Sequence, residues 1–223
     1  MISHSSRPSP RRLAAIVLGA AMVLLRGGSL TAQDVDPLSK LDPSSKFTVQ
    51  LLIDSAETAK LPASALMSKA LEGIYKKIDS RKIVEVVRKE LALLREARQA
   101  LGPVSDEELK AGADVLWAGG KPQQLAAFRI RQKGRNDLEA FVVWADLITR
   151  GVSSEDASSA ITKLWQDGAD DATFHSLWSA IQTDISSGLN PGAALQNRIR
   201  ETPGRVPPKI TPPEGPQENT SSR

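Results

Sequence analysis

Apolar residues recur every three or four positions between residues 44 and 200, and no stretch alternates apolar and polar residues for long. Apolar residues three or four positions apart lie along one face of a helix, whereas a half-buried strand needs apolar and polar residues in alternation. The pattern therefore predicts an all-α chain of about eight or nine helices. The predicted apolar faces are Phe47, Leu51 and Leu52; Leu66, Ala70 and Ile74; Ile83, Val86, Val87, Leu91 and Leu94; Leu109, Ala113, Leu116 and Trp117; Phe141, Val142, Ala145 and Ile148; Ala157, Ile161, Leu164 and Trp165; and Phe174, Leu177, Trp178 and Ile181.

Four predicted helix starts share one pattern, an apolar residue followed by a residue suited to begin a helix. A Ser or Asn at that second position accepts a free backbone N–H, and the apolar residue before it packs on the first turn as a hydrophobic staple. An acid three residues after the Ser completes a capping box. The pairs are Leu61–Pro62, Val104–Ser105, Val152–Ser153 and Leu189–Asn190, with Glu108 and Asp156 as the capping-box acids.

The same units suggest an irregular repeat. Gly102, Gly151 and Gly188 precede three of the starts, and a Gly there closes a helix in the left-handed conformation. We call the first residue of each pair the apolar lead, and successive leads lie 43, 48 and 37 residues apart. A unit of about 40 residues is typical of stacked two-helix repeats. We predict irregular two-helix (α-hairpin) repeats stacked as a short solenoid or bundle; an ordinary antiparallel bundle with similar caps is the alternative.

The two ends of the chain differ from its middle. Residues 1–32 predict a signal peptide, because three Arg residues precede thirteen uncharged apolar or small residues at positions 13–25. That run is shorter than the roughly 20 residues that span a bilayer, so an uncleaved anchor is the alternative. Residues 33–43 are predicted to be a linker, residues 44–200 the helical domain and residues 201–223 a disordered Pro-rich tail. The protein is expected in the periplasm or outside the cell.

Charge argues against a nucleic-acid partner. The chain has a formal net charge of +3, but its first 32 residues carry four Arg and no acid, which leaves −1 after signal removal. Binding to nucleic acid needs a basic footprint. Residues 60–100 nevertheless hold ten Lys or Arg against five acids. These residues form either solvated helix faces or a surface that docks on anionic lipid or cell-wall polymer.

Few residues have the chemistry of catalysis. The chain has no Cys, and His175 is the one His after the signal, so we predict no metal site, no cofactor and no catalytic residue. Asp171 and Ser179 flank His175 on one helix, which is poor geometry for a Ser-His-Asp triad. A hydrolase that uses only carboxylates is the enzymatic alternative, and it needs two inward-facing acids in one cleft.

Tryptophans are the candidate binding residues. Trp117 and Trp165 occupy matching positions in two units, while Trp144 and Trp178 lie on other predicted helices. Two of them lining a groove would clamp a peptide or a sugar. The alternative is that they pack between neighbouring helices.

One segment resembles a group of known proteins. The stretch "LPASALMSKALEGIYKKIDSRKIVEVV" (residues 61–87) is similar to uncharacterised exported bacterial all-helical proteins in which Leu-Pro precedes a helix with Lys-Ala-x-Glu-Gly. This resemblance implies no activity, cofactor or site residue.

Taken together, these features predict an exported, non-catalytic helical-repeat protein. We expect a protein-interaction or scaffolding role in the cell envelope, with an envelope protein or cell-wall component as partner and no nucleic acid. Contact with a membrane is expected only if the signal is uncleaved. The alternatives are the carboxylate hydrolase and a carrier of an apolar ligand.

Overall fold

The computed structural model describes residues 36–130 and 138–201, and within these ranges the chain is helical with no strand. This confirms the all-α prediction. The helices are α1 (Pro43–Thr58), α2 (Ala63–Tyr75), α3 (Ser80–Leu101), α4 (Asp106–Ala118), α5 (Pro122–Ile130), α6 (Leu138–Thr149), α7 (Ser154–Gln166), α8 (Asp171–Ser186) and α9 (Pro191–Glu201). The predicted signal peptide and nearly all of the predicted tail lie outside the described residues.

The helices pack on neighbours in the sequence and also on helices further along the chain. Helices α1, α2 and α3 contact one another, α3 also packs on α4 and α5, and α4 packs on α6. Helix α6 then contacts α7 and α8, and α9 closes the series against α8 and α7. Buried apolar side chains form one core cluster that runs from Leu38 to Leu195. None of the described helices combines the length and apolar character needed to cross a bilayer.

Helices begin where the capping pattern predicts. Helix α2 begins after Pro62, α4 after Ser105, α7 after Ser153 and α9 after Asn190. The capping box at Ser105 is complete, with both reciprocal bonds to Glu108. At Ser153 only half of it forms. Ser153 Oγ accepts from the backbone N–H of Asp156 at 3.0 Å, but the shorter Asp carboxylate accepts from the Ser153 hydroxyl, at 2.8 Å, and not from its backbone.

Three of the four apolar leads also close the helix before them. Each donates its backbone N–H to the carbonyl five residues earlier, the longer bond of a Schellman motif. The bonds run from Leu61 to Ala56 (2.9 Å), from Val152 to Leu147 (3.0 Å) and from Leu189 to Asp184 (3.1 Å). One residue thus ends one helix and leads into the next. Gly102, Gly151 and Gly188 all have positive φ, as predicted, but the ψ of Gly102 (−150°) lies outside the left-handed helical region.

Two lysines occupy the position that Gly takes elsewhere. Lys60 (φ 53°) and Lys77 (φ 55°) are the left-handed residues of the Schellman motifs that end α1 and α2. A side chain in this left-handed region costs roughly 1–2 kcal/mol. These turns therefore store strain that a glycine would relieve.

Two segments differ from the sequence predictions. The described part of the predicted linker, residues 36–42, is a turn that buries Leu38 and Leu41 against the core. On α1 the predicted apolar face is wrong, because Phe47 and Leu51 are exposed. The buried side chains of α1 are Ser45, Val49, Ile53 and Ala56. Both faces of this helix are apolar, so spacing alone does not select the one that packs.

We predict that Lys60→Gly raises the free energy of unfolding by about 0.5–1 kcal/mol, because relief of left-handed strain exceeds the entropy cost of Gly. Urea denaturation followed by Trp fluorescence measures the change. Lys60→Ala is the matched control, since it removes the same side chain but keeps the strain. Equal stabilisation by both variants would contradict the assignment.

Candidate functional site

A surface groove lies where α2, α3 and the end of α4 meet. Its volume is about 400 Å³. The apolar residues that line it are Ile78, Ile83, Val86 and Trp117. The polar ones are Lys69, Glu72, Lys76 and Lys82, with Gly73 between them on α2. We call this site the basic groove.

Helical spacing brings the α2 side of the groove together. Lys69, Glu72, Gly73 and Lys76 are three or four residues apart, so they share one face of α2. Gly73 allows this face to approach α3, because a Cβ at Gly73 would lie 2.6 Å from Cγ1 of Ile83. Any larger residue would push the helices apart, so the shape of the groove depends on Gly73.

Trp117 holds two lysines at the groove. The Nζ of Lys89 lies 4.1 Å from the ring centroid of Trp117, and the Nζ of Lys69 lies 5.0 Å from it. Each ammonium is attracted by the quadrupole of the ring. One half-buried aromatic ring is thus contacted by two positive charges.

The charge around the groove is mostly positive. Among the described residues that line it, Glu72 is the only acid, and it forms an ion pair with Lys76. The hydrogen bond from Lys76, with the charges of Lys76 and Lys69, holds the pKa of Glu72 below its usual value. Lys69, Lys82 and Lys89 remain as an excess of positive charge, which favours an anion.

The other three tryptophans lie elsewhere. Trp144 is fully buried and Trp165 nearly so, and both pack edge or tilted against Phe128 in the core. Trp178 is half-buried and its Nε1 donates to Asp146 at 2.7 Å. Trp117 and Trp165, which match in the sequence, therefore have different surroundings, and only Trp117 lines the basic groove.

A buried acid was missed by the sequence analysis. Glu90 on α3 is 1% exposed, and its Oε1 has no hydrogen-bond partner. Burial raises the pKa of this carboxyl, against the opposing charge of Lys69, and the charge of Asp114 raises it further. The signal was present, since Glu90 lies three residues after Val87 and four before Leu94 on the apolar face of α3.

His175, possible metal ligands and buried carboxylates are the polar groups that a catalytic site would use. His175 is exposed, and its ring lies 5.6 Å from the ring of Trp178. Within residues 36–130 and 138–201, no group of three or more His, Cys, Asp or Glu is arranged to hold a metal ion. Glu90 is the one fully buried carboxylate of those ranges.

Comparison with known proteins yields no relative. No family model matches the chain, and neither a curated protein nor a solved structure matches it significantly. The resemblance of residues 61–87 to exported bacterial proteins stays a prediction from the sequence.

We predict that Glu90→Gln changes how stability depends on pH. The folded state raises the pKa of Glu90, so it binds the proton more tightly than the unfolded chain does. This contribution is complete below the unfolded pKa and is lost as the pH rises through the folded pKa. At about pH 8 the variant should be more stable than the parent by about 1–2 kcal/mol, because a buried charge without a partner is removed.

Urea unfolding at pH values from about 4 to about 8 provides the measurement. The stability difference between Glu90→Gln and the parent should shrink toward the acid end. Glu85→Gln, at an exposed acid on the same helix, is the control for the loss of one carboxylate charge. A variant less stable than the parent at every pH would show that the Glu90 carboxylate is stabilising.

Proposed function

We propose that this chain is an exported, non-catalytic helical module that binds an acidic partner in the cell envelope through the basic groove. The partner is an envelope protein or a cell-wall component that presents carboxylate or phosphate groups. One observation carries the proposal: Lys69 and Lys89 both lie within about 5 Å of the ring of Trp117.

Clustered ammonium groups favour an anionic ligand. Like charges raise the energy of the empty groove, and an anion between them relieves that repulsion. The apolar side chains of Ile78, Val86 and Trp117 supply contact area beside the charges. Excluding water from such a contact strengthens the ion pairs that form there.

The rest of the exported form does not attract anions in general. Its net charge after signal removal is −1, so selective binding of an acidic partner would come from the local excess of lysine. The same lysines argue against a carrier of a purely apolar ligand, since such a ligand leaves the charges without partners.

We predict that the exported form, residues 33–223, binds poly-L-glutamate, used as a probe of an acidic partner. Lys69→Glu with Lys89→Glu should weaken this binding by about ten-fold or more, because two attractive charges become repulsive. Isothermal titration calorimetry at low salt measures the affinity, and added salt should lower it.

Lys163→Glu with Arg200→Glu is the matched control. It makes the same change in net charge on exposed residues of α7 and α9. Binding by the control should stay within about two-fold of the parent if the site is local. Equal losses in the two variants would mean that only the overall field acts, and no binding by the parent at low salt would refute the proposal.

A further inference from the structure

Helix α1 has an apolar face that nothing in the described structure covers. Its buried face contains Val49 and Ile53, yet Phe47 is 64% exposed and Leu51 is 51% exposed. These two residues are four apart, so they share one side of the helix. An exposed face of this kind on a helix that is already packed indicates a second contact.

More apolar side chains are exposed at the same end of the molecule. The start of α1 lies beside the start of α3, because Asp42 interacts with Ser80, and the end of α2 leads directly into α3. The end of α2 exposes Leu71 and Tyr75, the latter by 88%, and the following turn exposes Ile78. Eight large apolar side chains are exposed in the described ranges, and five lie here. Ile78 also lines the basic groove, so we define the apolar end as Phe47, Leu51, Leu71 and Tyr75.

Basic residues surround the apolar end. Residues 36–47 and 71–82 contain six Lys or Arg against four acids. All four acids are engaged. Asp36 pairs with Lys46 and Glu72 with Lys76, while Asp42 and Asp79 accept backbone N–H groups at the starts of α1 and α3. The side chains of Lys40, Lys77, Arg81 and Lys82 are exposed, so this end offers solvent a positive charge.

We infer that the apolar end docks on the surface of an anionic lipid bilayer. Phe47 and Tyr75 enter the interfacial region, where aromatic rings are favoured. The lysines and Arg81 reach the headgroup phosphates, and each contributes on the order of 1 kcal/mol near such a surface. The apolar side chains thus match the acyl-chain region of the membrane surface, and the basic residues around them match its anionic headgroups.

A second copy of the chain fits this surface less well. A two-fold dimer would put the patch against itself and bring Lys76, Lys77 and Lys82 close to their own copies. An anionic bilayer supplies the opposite charge. Docking of the exported form extends the sequence prediction, which expected membrane contact only with an uncleaved signal.

This inference goes beyond the proposed function and is tested with residues outside the basic groove. The chain from Gln33 onward keeps every buried side chain of the described core, from Leu38 to Leu195. It is mixed with vesicles of phosphatidylcholine alone or with phosphatidylglycerol, and the bound fraction is measured by co-sedimentation. Binding should require phosphatidylglycerol and should fall as salt rises.

Phe47→Ser with Tyr75→Ser should weaken vesicle binding by about ten-fold or more, because two apolar side chains no longer leave water. Ile130→Ser with Val142→Ser is the control, since it removes two apolar side chains that are exposed elsewhere. The control should bind as the parent does. Lys77→Glu with Arg81→Glu should also abolish the preference for phosphatidylglycerol.

The outcomes separate this inference from the proposed function. Phe47→Ser with Tyr75→Ser should still bind poly-L-glutamate like the parent, so either surface can fail without the other. The inference is overturned if the parent ignores phosphatidylglycerol vesicles at low salt or if the serine variant binds them equally. A dimer in sedimentation velocity that these serines dissolve, with no vesicle binding, would assign the apolar end to self-association.

Discussion

The fold depends on how one helix ends and the next begins within a few residues. Leu61, Val152 and Leu189 each donate an N–H to the helix they leave and precede the cap of the helix they enter. Because one residue serves both ends, the connection has little freedom to change its angle. The helices then pack around one core, with α4 against α6 and α5 against α3, and the face of each helix that remains exposed is determined by its neighbours.

The basic groove is a consequence of that packing. Helix α3 contacts α1, α2, α4 and α5. Its residues therefore have different environments depending on which neighbouring helix they face. Ile83 packs under Gly73, Lys89 reaches the ring of Trp117, and Glu90 is buried one residue later. A buried acid without a full set of hydrogen bonds reduces stability. The neighbouring lysines, held by an aromatic ring, give the surface above it a positive charge.

The helix starts could be predicted from the sequence, whereas the face of each helix that packs against the core could not. The starts at Ser105 and Ser153 follow from side-chain bonds that span three residues, so spacing was enough to find them. The buried face of α1 was not found, because Phe47 and Val49 are both apolar and only the position of α2 and α3 decides between them. Trp117 and Trp165 occupy matching positions, yet lysines surround one and aromatic rings the other. Glu90 lies on the apolar face of α3, so its position among apolar residues already indicated burial.

The central claim is that an acidic partner is recognised at Trp117 and its two lysines. The most direct measurement is the ¹H–¹⁵N spectrum of the four Trp indole groups during titration with poly-L-glutamate. The Trp117 signal should shift while the signals of the buried Trp144 and Trp165 stay in place. A shift confined to Trp178, or no shift under conditions where binding is measured, would contradict it.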